Sequence, residues 1–74
     1  MQTVRQLRVA AGLTQLQVAV QLGVTPTTVY LWERGVREPR ARQLQQLAKL
    51  FEVSADDIAI PEPPDEAYRG KGAA

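Results

Sequence analysis

Hydrogen-bonding side chains are concentrated in one short segment of the chain, Thr25–Arg34, which reads TPTTVYLWER. Its threonine hydroxyls, phenol and guanidinium are suited to recognising a partner through hydrogen bonds. The whole chain contains no histidine and no cysteine. It therefore offers no disulfide, no zinc finger and no thiol or imidazole nucleophile. A glycine-rich phosphate loop and a plausible catalytic pair of carboxylates are also missing, so we expect no enzyme activity, metal or cofactor.

Charge is divided unevenly along the chain. Residues 1–51 carry seven basic and two acidic side chains, a net charge of +5, whereas residues 52–74 carry two basic and six acidic ones, a net charge of −4. A basic body favours a polyanionic partner, although a solvated mixed surface is an equally simple reading of charge alone. The 74 residues suffice for one small domain without a deep cavity. No apolar run resembles a signal peptide or a membrane span, so we expect a cytoplasmic protein without membrane contact.

Apolar residues recur at helical spacing almost throughout the first 60 residues, and no segment alternates for long enough to predict a strand. We therefore predict an all-α fold. Threonines are expected to cap several of the helices, and glycines are expected to end the first three. The predicted helices run from near Thr3 to Gly12, from Thr14 to Gly23, from Thr25 to Gly35, through RARQLQQLAKLF, and from Ser54 to near Ile60.

The third predicted helix has two different faces. At about 100° per residue, Val29, Trp32 and Glu33 fall together on an inner side. Arg8 also lies on an apolar face, that of the first helix, and two opposite charges placed in this way explain each other. We predict an ion pair between Arg8 and Glu33, the alternative being that both side chains reach solvent at the edge of the core. The outer side of the third helix carries Thr27, Tyr30, Leu31 and Arg34.

Two segments, GLTQLQVAVQLGVTPTTVYLWERGVREP and LQQLAKLFEVSADDI, resemble the Cro and lambda-repressor-like helix-turn-helix family, also called the xenobiotic-response-element family. The resemblance runs from about Val4 to Ile60. It implies a compact five-helix DNA-binding domain in residues 1–60, whose third helix, about residues 25–34, enters the major groove. Residues 61–74 have no apolar periodicity, and we expect them to form a disordered, acidic, proline-rich tail.

The resemblance also implies which side chains face DNA. Proline donates no hydrogen bond and leucine offers only apolar contact, so we expect modest base specificity. Hydroxyls, helix starts and arginines suit phosphate oxygens. The residues expected to read bases are Pro26, Thr27, Tyr30, Leu31 and Arg34. The residues expected to hold phosphates are Gln15, Thr25, Thr28, Arg37, Arg40 and Arg42.

The expected function is that of a sequence-specific regulator of transcription that binds double-stranded DNA, most often a repressor in this family. We expect a homodimer, because one helix reads too few bases to find a site in a genome. The preferred dimer contact comprises Leu50, Ile58 and Ile60, and the alternative comprises Leu16 and Val20. A second hypothesis keeps the fold but assigns it to protein interaction, for example as an antitoxin that masks a toxin. The weak base-reading set and the acidic tail favour it.

Overall fold

Three threonines begin the first three helices of the protein. The hydroxyls of Thr3, Thr14 and Thr25 each accept a hydrogen bond from the backbone N–H three residues later. At the first two caps, the side-chain oxygen of the glutamine at that third position accepts a hydrogen bond from the threonine's own backbone N–H. These bonds satisfy donors that the start of a helix otherwise leaves unpaired, which is why the helices start at these residues.

The computed structural model describes residues 1–60, and the predicted disordered tail, residues 61–74, lies outside the described residues. Residues 1–60 form four α-helices, one 3₁₀ turn and two very short strands. The elements in chain order are β1 (Gln2–Thr3), α1 (Val4–Ala10), α2 (Gln15–Leu22), α3 (Pro26–Arg34), α4 (Ala41–Phe51), the 3₁₀ turn (Ala55–Asp57) and β2 (Ile58–Ala59).

The two ends of the described chain pair with each other. Strands β1 and β2 run parallel, with Gln2 opposite Ile58 and Thr3 opposite Ala59. The prediction that no strand occurs is wrong here, because two residues are too few to produce an alternating pattern. The predicted fifth helix is the 3₁₀ turn, which Ser54 begins by accepting a hydrogen bond from the Asp56 N–H.

The core is built from all four helices and β2. Its buried residues are Val4, Leu7, Val18, Ala19, Leu22, Val29, Trp32, Leu47, Ala48 and Ile58. Helices α2 and α3 make the most extensive contact between elements, and Ala19 is fully buried at 0% exposure. Gly23 adopts a φ of 71° at the turn between them, a left-handed conformation that costs glycine little. The small alanine and the glycine turn together explain the tight helix-turn-helix packing.

Helix α4 begins without a side-chain acceptor at its cap. Arg40 occupies the cap position, and its own backbone N–H donates to Gln43 Oε1 at 2.9 Å. A guanidinium cannot accept a hydrogen bond, so the Arg40 side chain cannot cap the N–H groups of the first turn. Of the two hydrogen bonds in a capping box, only the one accepted by Gln43 is present. The first-turn N–H groups of α4 therefore lack the threonine that serves the other helices.

Candidate nucleic-acid interface

The outward face of α3 is open to solvent. Pro26, Thr27, Tyr30 and Arg34 are exposed, whereas Leu31 is half-buried. The Arg34 guanidinium carbon lies 5.8 Å from the centre of the Tyr30 ring, a cation–π arrangement. This contact joins two of the predicted base-reading side chains one turn apart. The face therefore presents a hydroxyl, a phenol and a guanidinium on a rigid helix.

The inward face of α3 is fixed by a charged hydrogen-bond network. Arg8 Nε donates to Glu33 Oε2 at 2.6 Å, and Arg8 Nη2 donates to Glu33 Oε1 at 3.1 Å. The two side chains are only 15% and 5% exposed. Arg8 Nη1 also donates to the Leu13 carbonyl at 2.9 Å. The structure thus brings together the two charges that the helical spacing paired, and it connects α1, the loop before α2, and α3.

Glu33 raises the pKa of Arg8 above its ordinary value. The hydrogen bond to the carboxylate is the largest cause, burial opposes it, and the attraction between the charges adds to it. The guanidinium therefore stays protonated within the network. A permanently charged donor with a bidentate carboxylate partner is a strong geometric constraint, so it holds α3 against α1.

Gln15 has a role that the sequence analysis missed. Its Nε2 donates to Glu33 Oε1 at 3.1 Å, so the first residue of α2 is bonded to α3. A second amide N–H and the amide oxygen remain for other partners. Helical periodicity could not reveal this bond, because it joins different helices at a half-buried position. Glu33 is the common acceptor for Arg8 and Gln15.

Most of the predicted phosphate contacts lie around the starts of α3 and α4. The Thr25 and Thr28 hydroxyl oxygens are 3.0 Å apart and share a hydrogen bond. Arg37, Arg40 and Arg42 are all exposed. The first two arginines line a groove together with both threonines, whereas Arg42 is not among the residues that line it. The structure therefore gathers four of the six predicted phosphate residues at one groove and places Gln15 and Arg42 outside it.

The preferred dimer contact must be corrected. Ile58 is 4% exposed, because β2 pairs with β1 and directs this side chain into the core. Ile58 is therefore no surface contact. Leu16 and Val20 are 59% and 69% exposed on α2, and with half-buried Leu50 they line an apolar groove. The alternative dimer pair thus lies on an open apolar surface, while Leu50 joins that surface from α4.

Two other features, a metal site and a membrane-spanning helix, are absent from residues 1–60. No three histidine, cysteine, aspartate or glutamate side chains among them are grouped so that they could hold a metal ion. None of their helices has the length and apolar character needed to cross a membrane. The candidate site described in this part of the chain is the exposed polar face of α3 with the arginines beside it.

A sequence model of the helix-turn-helix family matches residues 4–58. This chain belongs to that family. The matched range contains all four helices and both the inner and outer faces of α3. Members of the family are DNA-binding regulators of transcription, in general not enzymes. The expected family is thereby confirmed, and the helix-turn-helix motif is α2, the Gly23 turn and α3.

The relatives of this helix-turn-helix protein include both an activator and a repressor of transcription. It is 39% identical over 54 residues to the transcriptional activator BcrR of Enterococcus faecalis, covering 73% of this chain and 26% of BcrR. It is 33% identical over 55 residues to the cryptic phage CTXphi transcriptional repressor RstR of Vibrio cholerae, covering 74% of this chain and 50% of RstR. An uncharacterized HTH-type regulator of Archaeoglobus fulgidus is 31% identical over 68 residues, covering 92% and 94%. No solved structure gives a significant match.

Proposed function

We propose that this protein is a sequence-specific regulator of transcription that represses by occupying its operator, with α3 inserted in the major groove. The observation that carries the proposal is the contrast between the two sides of α3. The inner side is fixed by the Glu33 network, and the outer side presents exposed polar groups. A major groove about 12 Å wide admits one helix of this kind.

Base reading is assigned to the outward side chains of α3. Thr27, Tyr30 and Arg34 supply hydrogen bonds, and Arg34 is the one able to bind guanine through two bonds. Pro26 and Leu31 supply apolar contact, which suits a thymine methyl group. Since only one side chain of the set offers a bidentate contact, sequence-dependent DNA shape contributes a share of the specificity.

Phosphate binding is assigned to the surroundings of α3. Exposed arginines and helix-start hydroxyls interact with the DNA backbone whatever the sequence. With three or four phosphates neutralised per subunit, a dimer would show a log–log salt slope of about −6. The assigned residues are Gln15, Thr25, Thr28, Arg37, Arg40 and Arg42.

A homodimer is part of the proposal. Two copies would place two recognition helices on half-sites roughly 34 Å apart, one turn of DNA. The surface that supports it is the apolar groove of Leu16, Val20 and Leu50, where two leucines and a valine are incompletely covered. Substituting aspartate for Leu16 should shift a dimer to monomer in sedimentation at tens of micromolar, because a charge would enter an apolar contact.

Repression is proposed as the direction of regulation. An α3 bound at a promoter excludes other proteins from the same groove without needing a further domain. The relative RstR is named as a repressor and BcrR as an activator, so a reporter measurement decides the direction. A promoter that carries the DNA site bound by this protein should lose activity when the protein is expressed. Increased activity would instead show that the protein is an activator.

A second candidate is a protein-interaction module, such as an antitoxin. The observation in its favour is the same apolar groove, because Leu16 and Val20 are the kind of exposed side chains that another protein covers. The DNA-binding candidate needs the outer face of α3 and the arginines beside it, whereas the protein-interaction candidate does not. Changing Thr27 and Arg37 together to alanine should remove a DNA-dependent activity and leave a protein-dependent one intact.

The deciding experiment is selection of bound sequences from a randomised duplex pool at about 150 mM salt, where non-specific binding is already weakened. Enrichment of a two-fold-symmetric site with half-sites one turn apart supports a dimeric operator-binding protein. The double alanine variant of Thr27 and Arg37 is the matched control and should enrich nothing. Uniform, salt-sensitive binding without enrichment would instead support the protein-interaction candidate.

A further inference from the structure

A groove between the starts of α3 and α4 contains a buried donor to which the proposed function gives no role. The groove is lined by Trp32 together with Thr25, Thr28, Arg37 and Arg40. Trp32 is a core residue, since only 2% of its surface is exposed. Its indole ring nevertheless carries one N–H group, which needs a partner when it is buried.

The indole N–H of Trp32 has no partner within the described chain. None of the side-chain hydrogen bonds among residues 1–60 involves it. At the same time, no fully enclosed side-chain nitrogen or oxygen in this part of the chain lacks a hydrogen bond. Within residues 1–60, the two statements are consistent with an indole nitrogen that retains a small exposed area. Because Trp32 is one of the residues that line the groove, the groove is the open space that we assign to this nitrogen.

The electrostatics of the groove favour an anion. Helices α3 and α4 both start there, and neither has an acidic residue in its first turn. The start of a helix carries unpaired N–H groups and a partial positive charge. The two arginines on the rim outnumber the one carboxylate beside them, that of Glu38. An anionic oxygen in the groove would therefore meet positive charge from several directions.

We infer that the Trp32 indole N–H donates a hydrogen bond to a phosphate oxygen of the DNA backbone. The inference rests on the proposed function, to which it adds a residue. Because the ring is held by the core, its N–H keeps a fixed direction and loses little freedom when the phosphate arrives. A donor anchored in this way fixes where the backbone lies relative to α3, while the flexible arginines at the rim supply attraction.

The test replaces Trp32 by 3-benzothienylalanine, in which sulfur takes the place of the N–H and the shape is nearly unchanged. Phenylalanine would also leave a cavity in the core, so it would confuse binding with stability. The probe is a duplex of about 30 base pairs, long enough for two half-sites one turn apart. We expect about a tenfold loss of affinity, similar for different sequences, with the thermal unfolding midpoint nearly unchanged.

A second measurement uses the unmodified protein and so does not depend on folding of the variant. The chain has a single tryptophan, which gives one indole ¹H–¹⁵N resonance in NMR spectra. Addition of duplex should move this resonance downfield and slow the exchange of its proton. The Gln45→Ala variant, altered at an exposed position of α4 outside the groove, should show the same change.

The outcomes separate the inference from the function on which it rests. If the unmodified protein binds duplex but the indole resonance does not move, and the sulfur variant binds equally well, Trp32 is only a core residue and the proposed function stands. If the unmodified protein binds no duplex DNA, the proposed function and the inference both fall. A downfield shift together with the tenfold loss supports the phosphate contact.

Discussion

The two faces of α3 differ in how far their polar side chains are hydrogen-bonded within the protein. Glu33, on the inner face, is an acceptor in three hydrogen bonds from Arg8 and Gln15. Arg34 is the next residue along the chain, yet it is exposed, makes no salt bridge within residues 1–60, and lies over the ring of Tyr30. Two consecutive residues of α3 thus carry charges with different roles. The Glu33 carboxylate stabilises the fold, and the Arg34 guanidinium is exposed to a binding partner. Substitutions on the inner face should change stability, and those on the outer face should change binding.

The largest effect should follow from removing the inner charge. Glu33→Gln leaves the part-buried Arg8 guanidinium without a counter-charge, which should lower the free energy of unfolding by about 3 kcal/mol. The unfolding midpoint should fall by more than about 10 °C in a domain of this size. Thermal denaturation followed by circular dichroism measures it. Glu38→Gln is the control, because Glu38 is exposed and has no salt bridge within residues 1–60. A midpoint within about 2 °C of the parent would show that the pair contributes little.

An outer-face substitution should reverse the pattern. Thr27→Ala removes an exposed hydroxyl assigned to base reading, so affinity for the selected duplex should fall by about 1–2 kcal/mol. The free energy of unfolding should change by less than about 0.5 kcal/mol, as at other surface positions. Fluorescence anisotropy with labelled duplex measures the first and urea denaturation the second. Gln45→Ala, at an exposed position of α4, should alter neither. Unchanged affinity in Thr27→Ala would remove this residue from the recognition surface.

Thr25 caps α3 and is also assigned to phosphate binding, so its substitution should change both stability and affinity. Thr25→Ala removes the cap of α3 and should cost about 1 kcal/mol of stability. Thr3→Ala is a matched control, because both hydroxyls cap a helix with the same 3.2 Å hydrogen bond. The two variants should lose similar stability, but only Thr25→Ala should also lose affinity for duplex DNA. Equal affinities would mean that Thr25 acts only as a cap.

Much of the helical architecture was predictable because its signals are local. Threonine hydroxyls mark the starts of α1, α2 and α3, and a left-handed glycine follows α2 and α3. Helical spacing also placed Arg8 and Glu33 on apolar faces, and this predicted their ion pair because a charge on such a face needs an opposite charge as its partner. Each of these conclusions depends on residues close in sequence or on charge burial, and both are visible without a structure.

The features that escaped prediction depend on contacts between distant segments. The β1–β2 pair joins residues near the two ends of the described chain, and neither strand is long enough to show a period. The same pairing buries Ile58, which explains why an isoleucine expected at a dimer contact belongs to the core. The bond from Gln15 to Glu33 likewise spans two helices. Such contacts follow from how the elements pack together, which the spacing of apolar residues along one element does not contain.

The smallest effect concerns pH and sharpens the comparison from its inner side. Glu33 raises the pKa of Arg8 in the folded protein above the unfolded value. The resulting stabilisation is fully present below the unfolded pKa and disappears only as pH rises through the still higher folded pKa. Both pKa values lie above the pH of ordinary solutions, so Arg8 keeps its proton in the folded and the unfolded protein. The stability difference between the parent and Glu33→Gln should therefore stay constant from about pH 7 to about pH 10, within about 0.3 kcal/mol by urea denaturation. A difference that shrinks steadily over this interval would mean that a group other than Arg8 supplies the positive charge which Glu33 stabilises.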